Sequence, residues 1–161
     1  LIATGGLEVN GFIPEKSLRS IDPAAFQAQF ALNAIGPALV LKYLAKHLPK
    51  DRPCIVAALS ARVGSIGDNH LGGWISYRAA KAALNQIVRT ASIELTRSHP
   101  HSICVAIHPG TVRTPLTEKY VGDHPAVPPA TAGQNILNVM SNLTPTDTGQ
   151  FFDWRGDRVE W

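Results

Sequence analysis

Two short runs of uninterrupted apolar residues, CIVAALS (54–60) and SICVAIHPG (102–110), constrain the fold more than any other feature of the chain. A strand with one face in water alternates apolar and polar residues. An unbroken apolar run of this length, bounded by turn residues, belongs to a strand covered on both faces, as in a parallel sheet. Parallel strands need a long crossover, and the residues between the two runs supply one. The glycine-rich loop GSIGDNHLGGW leads into a helical pattern through YRAAKAALNQIVRTASIELTRS.

The same alternation extends to both ends. LIAT (1–4), stopped by Gly5 and Gly6, reads as a buried strand ending in a turn. SIDPAAFQAQFALNAIGPALVLKYLAKHLP reads as a helix with Asp22 at its N-cap and Pro23 at its first position. Phe26, Phe30, Leu32, Ile35, Leu39 and Leu44 recur at helical spacing, and Pro37 predicts a kink. TAGQNILNVMSNL gives a shorter helix, and GQFFDWRGDRVEW a last strand with a hairpin-like end at Arg155-Gly156-Asp157. The proline-rich VGDHPAVPPAT (121–131) reads as a loop or flap. The order βαβαβαβ predicts one open α/β domain over residues 1–161, with helices on both faces of the sheet. Ligands of such sheets sit at the carboxyl ends of the strands. Three of those ends carry small or polar residues: Thr4-Gly5, Ser60-Ala61 and His108-Pro109-Gly110.

Composition narrows the function. With 161 residues, 45% of them hydrophobic and 17% charged, the chain fits one globular domain with a sizeable core. The formal charge is only +3, and the basic residues are scattered, so nucleic-acid binding has little support. No apolar run reaches the ~18 residues that predict a bilayer span, and LIATGGLEVNG lacks the pattern of a signal peptide. The expectation is a cytoplasmic protein with no membrane partner. Cys54 and Cys104 each lie in a buried-strand run without ligand-type neighbours, which predicts reduced structural thiols. HPH (99–101) has the look of a metal clip, but its place between helix and strand predicts a surface turn.

Tyr77 and Lys81 stand four positions apart and so share a helix face. Alone the pair says little. Its helix, however, follows the loop that leaves a strand end, HPGTVRTP (108–115) ends the next strand, and Asn33 interrupts the otherwise apolar first long helix.

In this order and spacing the chain resembles the short-chain dehydrogenase/reductase family, through ATG (3–5), LNAIGP (32–37), IVAALSARVG (55–64), YRAAKAALN (77–85) and HPGTVRTP. The loop wording GSIGDNHLGGWISYRAAKAALN is most similar to the carbonyl-reductase branch. The resemblance implies a Rossmann-like, doubly wound, mostly parallel sheet, of which this chain matches the C-terminal two-thirds, without the glycine-rich dinucleotide turn of the first strand. It implies NADP or NAD as cofactor, a small carbonyl or alcohol as substrate, and a homodimer or homotetramer formed through the two long helices.

Residue by residue, the resemblance makes Tyr77 the general acid/base. Lys81 tunes it and bonds the nicotinamide ribose, and Asn33 holds a water that relays protons to Lys81. A phenol has a reference pKa of ~10, and the neighbouring ammonium is expected to favour its ionised form. Gly5 matches the last glycine of an Asn-Asn-Ala-Gly motif whose asparagines are absent. Pro109, Gly110 and Val112 are placed beside the nicotinamide, with Thr114 on its carboxamide or the pyrophosphate, and His108 is expected to pack beside that turn. The substrate loop over 115–130, with Leu116, Tyr120, Val121 and Val127, implies a partly apolar pocket. The family's substrate-polarising serine falls on Ala61. Ser60 is the neighbouring candidate, expected to point to the opposite strand face, and Ser65 is a second. These departures favour a competing reading, a non-catalytic Rossmann-like oligomerisation or binding module.

Overall fold

The computed structural model describes residues 1–115, 117–122 and 125–161. The two apolar runs form β1 (Cys54–Leu59) and β2 (Ser102–His108), joined by β3 (Phe151–Asp153) in a parallel sheet of order β1-β2-β3. Cys54 pairs with Ser102 through to Leu59 with Ile107, and Ala106 with Phe151 through to His108 with Asp153. Successive strand residues point to opposite faces, and each face has its own core. Val56, Ala58, Cys104, Ala106 and Phe151 pack with Leu41, Leu84, Val88 and Leu95 on one side. Ala57, Ile103, Val105, Ile107 and Phe152 pack with Ile136 and Val139 on the other. That two-sided burial is the physical content of the uninterrupted runs, and the sheet is doubly wound as expected.

The first predicted strand is reduced to one residue. Ile2 donates its N–H to Ala57 O at 2.8 Å and accepts from Leu59 N–H at 2.9 Å, forming a parallel bridge to Ala58. Gly5, at φ +141°, then turns the chain off the sheet edge. A hairpin turn follows at Asn10-Gly11, both at positive φ, between the bridged Val9 and Phe12.

The first long helix is continuous but not uniform. α1 (Pro23–Phe30) is capped by Asp22, whose side chain accepts the Ala24 N–H at 2.7 Å. A π-helical segment, Ala31–Ile35, joins it to α2 (Gly36–Leu44). The expected kink at Pro37 takes this form because proline lacks an N–H and crowds the preceding turn. The wider turn, in which Gly36 N–H reaches back to Ala31 O, absorbs the misfit.

The expected apolar stripe is corrected. The buried residues of this helix are Ala25, Ala28, Gln29, Asn33, Ala34, Pro37 and Leu41, whereas Leu32, Ile35 and Leu39 are exposed. Small side chains and two amides face inward because the helix lies close to its neighbours, and the larger apolar groups are turned outward. The absence of a run long enough to span a bilayer is corrected too. The helical stretch Pro23–His47 is long and apolar enough by length and composition. Its Gln29 and Asn33 are nonetheless hydrogen-bonded into the domain.

After β1 come a short 3₁₀ turn, Arg62–Gly64, and then α3 (Ile75–Ser98). Within α3, Ala80, Leu84 and Val88 are fully buried. β2 leads to the short α4 (Glu118–Val121), and α5 (Pro129–Ser141) covers the second sheet face. Beyond β3 the chain turns at Arg155-Gly156-Asp157, and Phe152 bridges Arg158 antiparallel, the expected hairpin-like end. Cys54 and Cys104 are free thiols. HPH is the turn between α3 and β2, with Ser102 N–H bonded to His99 O.

Candidate active site

The carboxyl end of β1 and the first two turns of α3 converge. Gly64 approaches α3 so closely that a Cβ there would lie 2.8 Å from Lys81 Cβ, and Arg78 ties the loop down by donating to Gly72 O, Gly73 O and Val63 O. Lys81 is buried, its Nζ donates to Leu59 O at 3.1 Å, and it stands 5.8 Å from the centre of the Tyr77 ring. Gly5 closes the group. A Cβ on it would meet Asn33 Oδ1 at 2.8 Å and Lys81 Nζ at 3.2 Å, so only glycine fits, and its φ of +141° requires glycine as well.

Asn33 lies in the π-helical segment and is wholly buried. Its Oδ1 accepts the Gly6 N–H at 3.1 Å, and its Nδ2 donates to Gly6 O at 2.9 Å and to Gln29 Oε1 at 2.6 Å. Gln29 Nε2 continues the network to Leu7 O at 2.7 Å. The loop from Gly5 to Leu7 is therefore pinned to the helix by two amides. Tyr77, Lys81, Asn33 and Gly5 are brought together.

Electrostatically the pair behaves differently from the expectation. Burial pushes the Tyr77 phenol up to about 12 and the Lys81 ammonium down to about 8. Loss of solvation is the cause in both groups, and Lys81 aims its ammonium at Leu59 O. The phenol therefore holds its proton at neutral pH.

The other candidates are held by partners of their own. Ser60 is buried, and its hydroxyl donates to Asn85 Oδ1 at 2.6 Å; Asn85 in turn donates to Gly64 O. Ser65 accepts the Asp68 N–H at 3.1 Å. Pro109 to Thr114 stand at the end of β2, where Gly110, at φ +78°, lies against Trp154. Val112 bridges Val127 in the proline-rich segment, and the Thr114 hydroxyl meets that of Thr117 at 3.2 Å. His108 packs at this turn with its Nδ1 unpartnered among the described residues, and burial lowers its pKa to about 4. In the segment expected to contact the substrate, Tyr120 and Val127 are half-buried, and Leu116 lies outside the described residues.

Four residues near the pair were not singled out in the sequence. Asn85 continues the Tyr77-Lys81 face by one more step of four, and Gln29 stands four before Asn33; helical spacing carried both signals. Trp74 enters α3 at φ 50° and packs edge-on against Tyr77 and Tyr120, with centroids 6.3 and 5.5 Å apart. Glu15 bonds to the start of α3 across 61 positions of sequence, a distance that no local pattern reveals.

A family model described as enoyl-(acyl carrier protein) reductase matches residues 6–152. The C-signal protein of Myxococcus xanthus is 34% identical over 90% of this chain and 84% of its own length. A 1-hydroxy-2-glutathionyl-2-methyl-3-butene dehydrogenase of Rhodococcus sp. (strain AD45) is 31% identical over 88% of this chain. An NADPH-bound carbonyl reductase from chicken fatty liver superposes with a TM-score of 0.81 at 29% identity over 98% of this chain. A short-chain dehydrogenase/reductase from Burkholderia multivorans with bound NADP gives 0.79 at 26% over 99%. The chain spans 61% of the Rhodococcus enzyme's length and 63% of the chicken enzyme's. With a family model matching residues 6–152 and a relative 34% identical over 84% of its own length, the chain belongs to the short-chain dehydrogenase/reductase family.

Proposed function

We propose that the chain carries the acid–base part of an NAD(P)-dependent oxidoreductase that interconverts a small carbonyl compound and its alcohol. The observation that carries this reading is the burial of Lys81 between Leu59 O, Gly5 and the Tyr77 ring at the carboxyl end of β1. A buried lysine is disfavoured unless it is used, and this one spends a single N–H on Leu59 O, which leaves donors for the ribose hydroxyls of a dinucleotide. The donor set fits the cofactor, with Pro109, Gly110, Val112 and Thr114 assigned to the nicotinamide side.

When bound, NAD(P) supplies or accepts the hydride. The chain's own task is the proton. Tyr77 holds its proton at neutral pH and donates it from the phenol oxygen to the substrate oxygen as negative charge develops there. Lys81, positive below about pH 8, stabilises the phenolate left behind. Asn33 fixes the loop that bounds Lys81 through its bonds to Gly6, and the proton relay to Lys81 is assigned to a water beside it. Trp74 and Tyr120 line the approach to Tyr77 and favour a substrate with apolar surface. The outward apolar residues of the first long helix, Leu32, Ile35, Leu39, Val40 and Tyr43, are assigned to contact with a second copy of the chain.

The test is consumption of NADPH or NADH with a panel of small aldehydes and ketones, alongside dinucleotide-induced thermal stabilisation. Tyr77→Phe is expected to lower kcat about 100-fold or more with the stabilisation intact; a Tyr77→Phe enzyme of undiminished kcat overturns the assignment. One observation favours a non-catalytic binding module. Ala61 stands where the resemblance places the polarising serine, and the Ser60 hydroxyl is committed to Asn85. Absence of both turnover and dinucleotide stabilisation would select that second reading.

A further inference from the structure

We propose that Glu15 is a positioning residue for Tyr77, acting as the cap of α3 supplied from the loop that follows Gly5. The proposal rests on the reading of Tyr77 as the proton donor. A helix begins with amides that have no intrahelical acceptor, and a Ser, Thr, Asp or Asn at the N-cap commonly takes one of them. α3 begins instead from Trp74, whose indole has no acceptor and whose φ of 50° is left-handed. A bulky residue keeps that conformation only where its surroundings hold it.

Glu15 meets both needs. Its backbone oxygen accepts the Trp74 N–H, and its Oε2 accepts the Ser76 N–H at 3.2 Å. The residue is only 5% exposed, and its Oε1 has no hydrogen-bond partner among the described residues. A carboxylate so placed is disfavoured by its loss of water and favoured by the positive end of a 24-residue helix. The fold therefore caps α3 from a loop distant in sequence, where the N-cap residue itself offers no side-chain acceptor.

Tyr77 is the next residue after Ser76, and the Trp74 ring packs edge-on against it. Loss of the cap frees the turn that carries the phenol and the indole beside it. Lys81, one turn on, keeps its own anchor at Leu59 O. Glu15 thus sets where the phenol stands relative to the ammonium.

Two variants separate the cap from the charge. Glu15→Gln keeps an oxygen for the Ser76 N–H, and Glu15→Ala removes it. In the full-length protein, assayed with NADPH and a carbonyl substrate, Glu15→Ala is expected to lose kcat by about ten- to a hundredfold. Its KM for NADPH stays unchanged, and Glu15→Gln restores most of the loss. An unaltered kcat in Glu15→Ala overturns the proposal, as does a Gln variant as impaired as Ala. Amide hydrogen exchange at Ser76 decides the cap without turnover: slow in the wild type and in Glu15→Gln, faster in Glu15→Ala, whereas Trp74 keeps its backbone acceptor in all three. Fast exchange in the wild type overturns the proposal. Slow exchange in a protein that reduces no carbonyl supports the cap and removes the reductase reading instead.

Discussion

Lys81 is the residue at which stability and chemistry pull in opposite directions. Its ammonium titrates near 8 in the folded chain, against 10.5 for an unburied lysine, so between those values the unfolded chain binds more protons. Stability therefore rises with pH from about 8 to about 10.5 and carries the full cost of the buried charge below 8. Lys81→Met keeps the bulk, removes that charge and gives up one hydrogen bond to Leu59 O. We expect it to be more stable than the wild type at pH 7 by roughly 1–3 kcal/mol, with the rise between pH 8 and 10.5 abolished, as urea titrations at several pH values will show. A Met variant less stable at pH 7 would mean that the ammonium is held by more than Leu59 O. At this scale the pair itself was legible in the sequence, because four positions on one helix fix its geometry. The direction of the phenol's pKa was not, since spacing shows the neighbouring charge but not the burial that sets that direction.

The elements around the pair are joined by the side-chain amides of the first long helix. Asn33 satisfies both polar groups of Gly6, and Gln29 satisfies Leu7 O. Asn33→Ala leaves these buried groups without partners, at about 1–3 kcal/mol each where unsatisfied, and is expected to destabilise the chain by ~2–4 kcal/mol. Gln29→Ala costs less, and the double variant falls short of the sum because Asn33 and Gln29 share a bond. Equilibrium denaturation of the three variants checks this, and strict additivity would disprove the network. The sequence announced this helix through Asp22, Pro23 and Pro37, which act on their own backbone neighbourhoods. It misplaced the buried face, because apolar periodicity marks what can be buried and not what is. Phe26, Leu32 and Ile35 obeyed the helical spacing, yet alanines and amides took the inner positions. The Asn10-Gly11 turn carried a sequence signal, an Asn-Gly pair, that the reading of LIATGGLEVNG left unused.

On the scale of the whole molecule, the outward side of the first long helix is the feature a lone chain does not explain. Leu32, Ile35, Leu39, Val40 and Tyr43 are all more than a third exposed and recur at helical spacing along one face. Beside them, between α2 and α3, lies a shallow cleft of about 450 Å³ lined partly by Leu41, Ala45, Ile87, Ala91 and Leu95. Contiguous apolar surface of this kind marks a contact site, and small residues along a cleft let a second helix approach closely. A second copy meeting the first through a two-fold axis would bury the same residues on both chains. Sedimentation of the full-length protein is therefore expected to give a dimer or tetramer. Ile35→Glu combined with Leu39→Glu is expected to shift it to monomer, since each carboxylate would have to be buried without a partner. Ile35 and Leu39 are exposed and take no part in the Asn33-Gly6 bonds, so the monomeric variant should keep the folded-state far-UV circular dichroism spectrum. A double variant that still sediments as the wild type would place the subunit contact elsewhere and leave this face to some other partner.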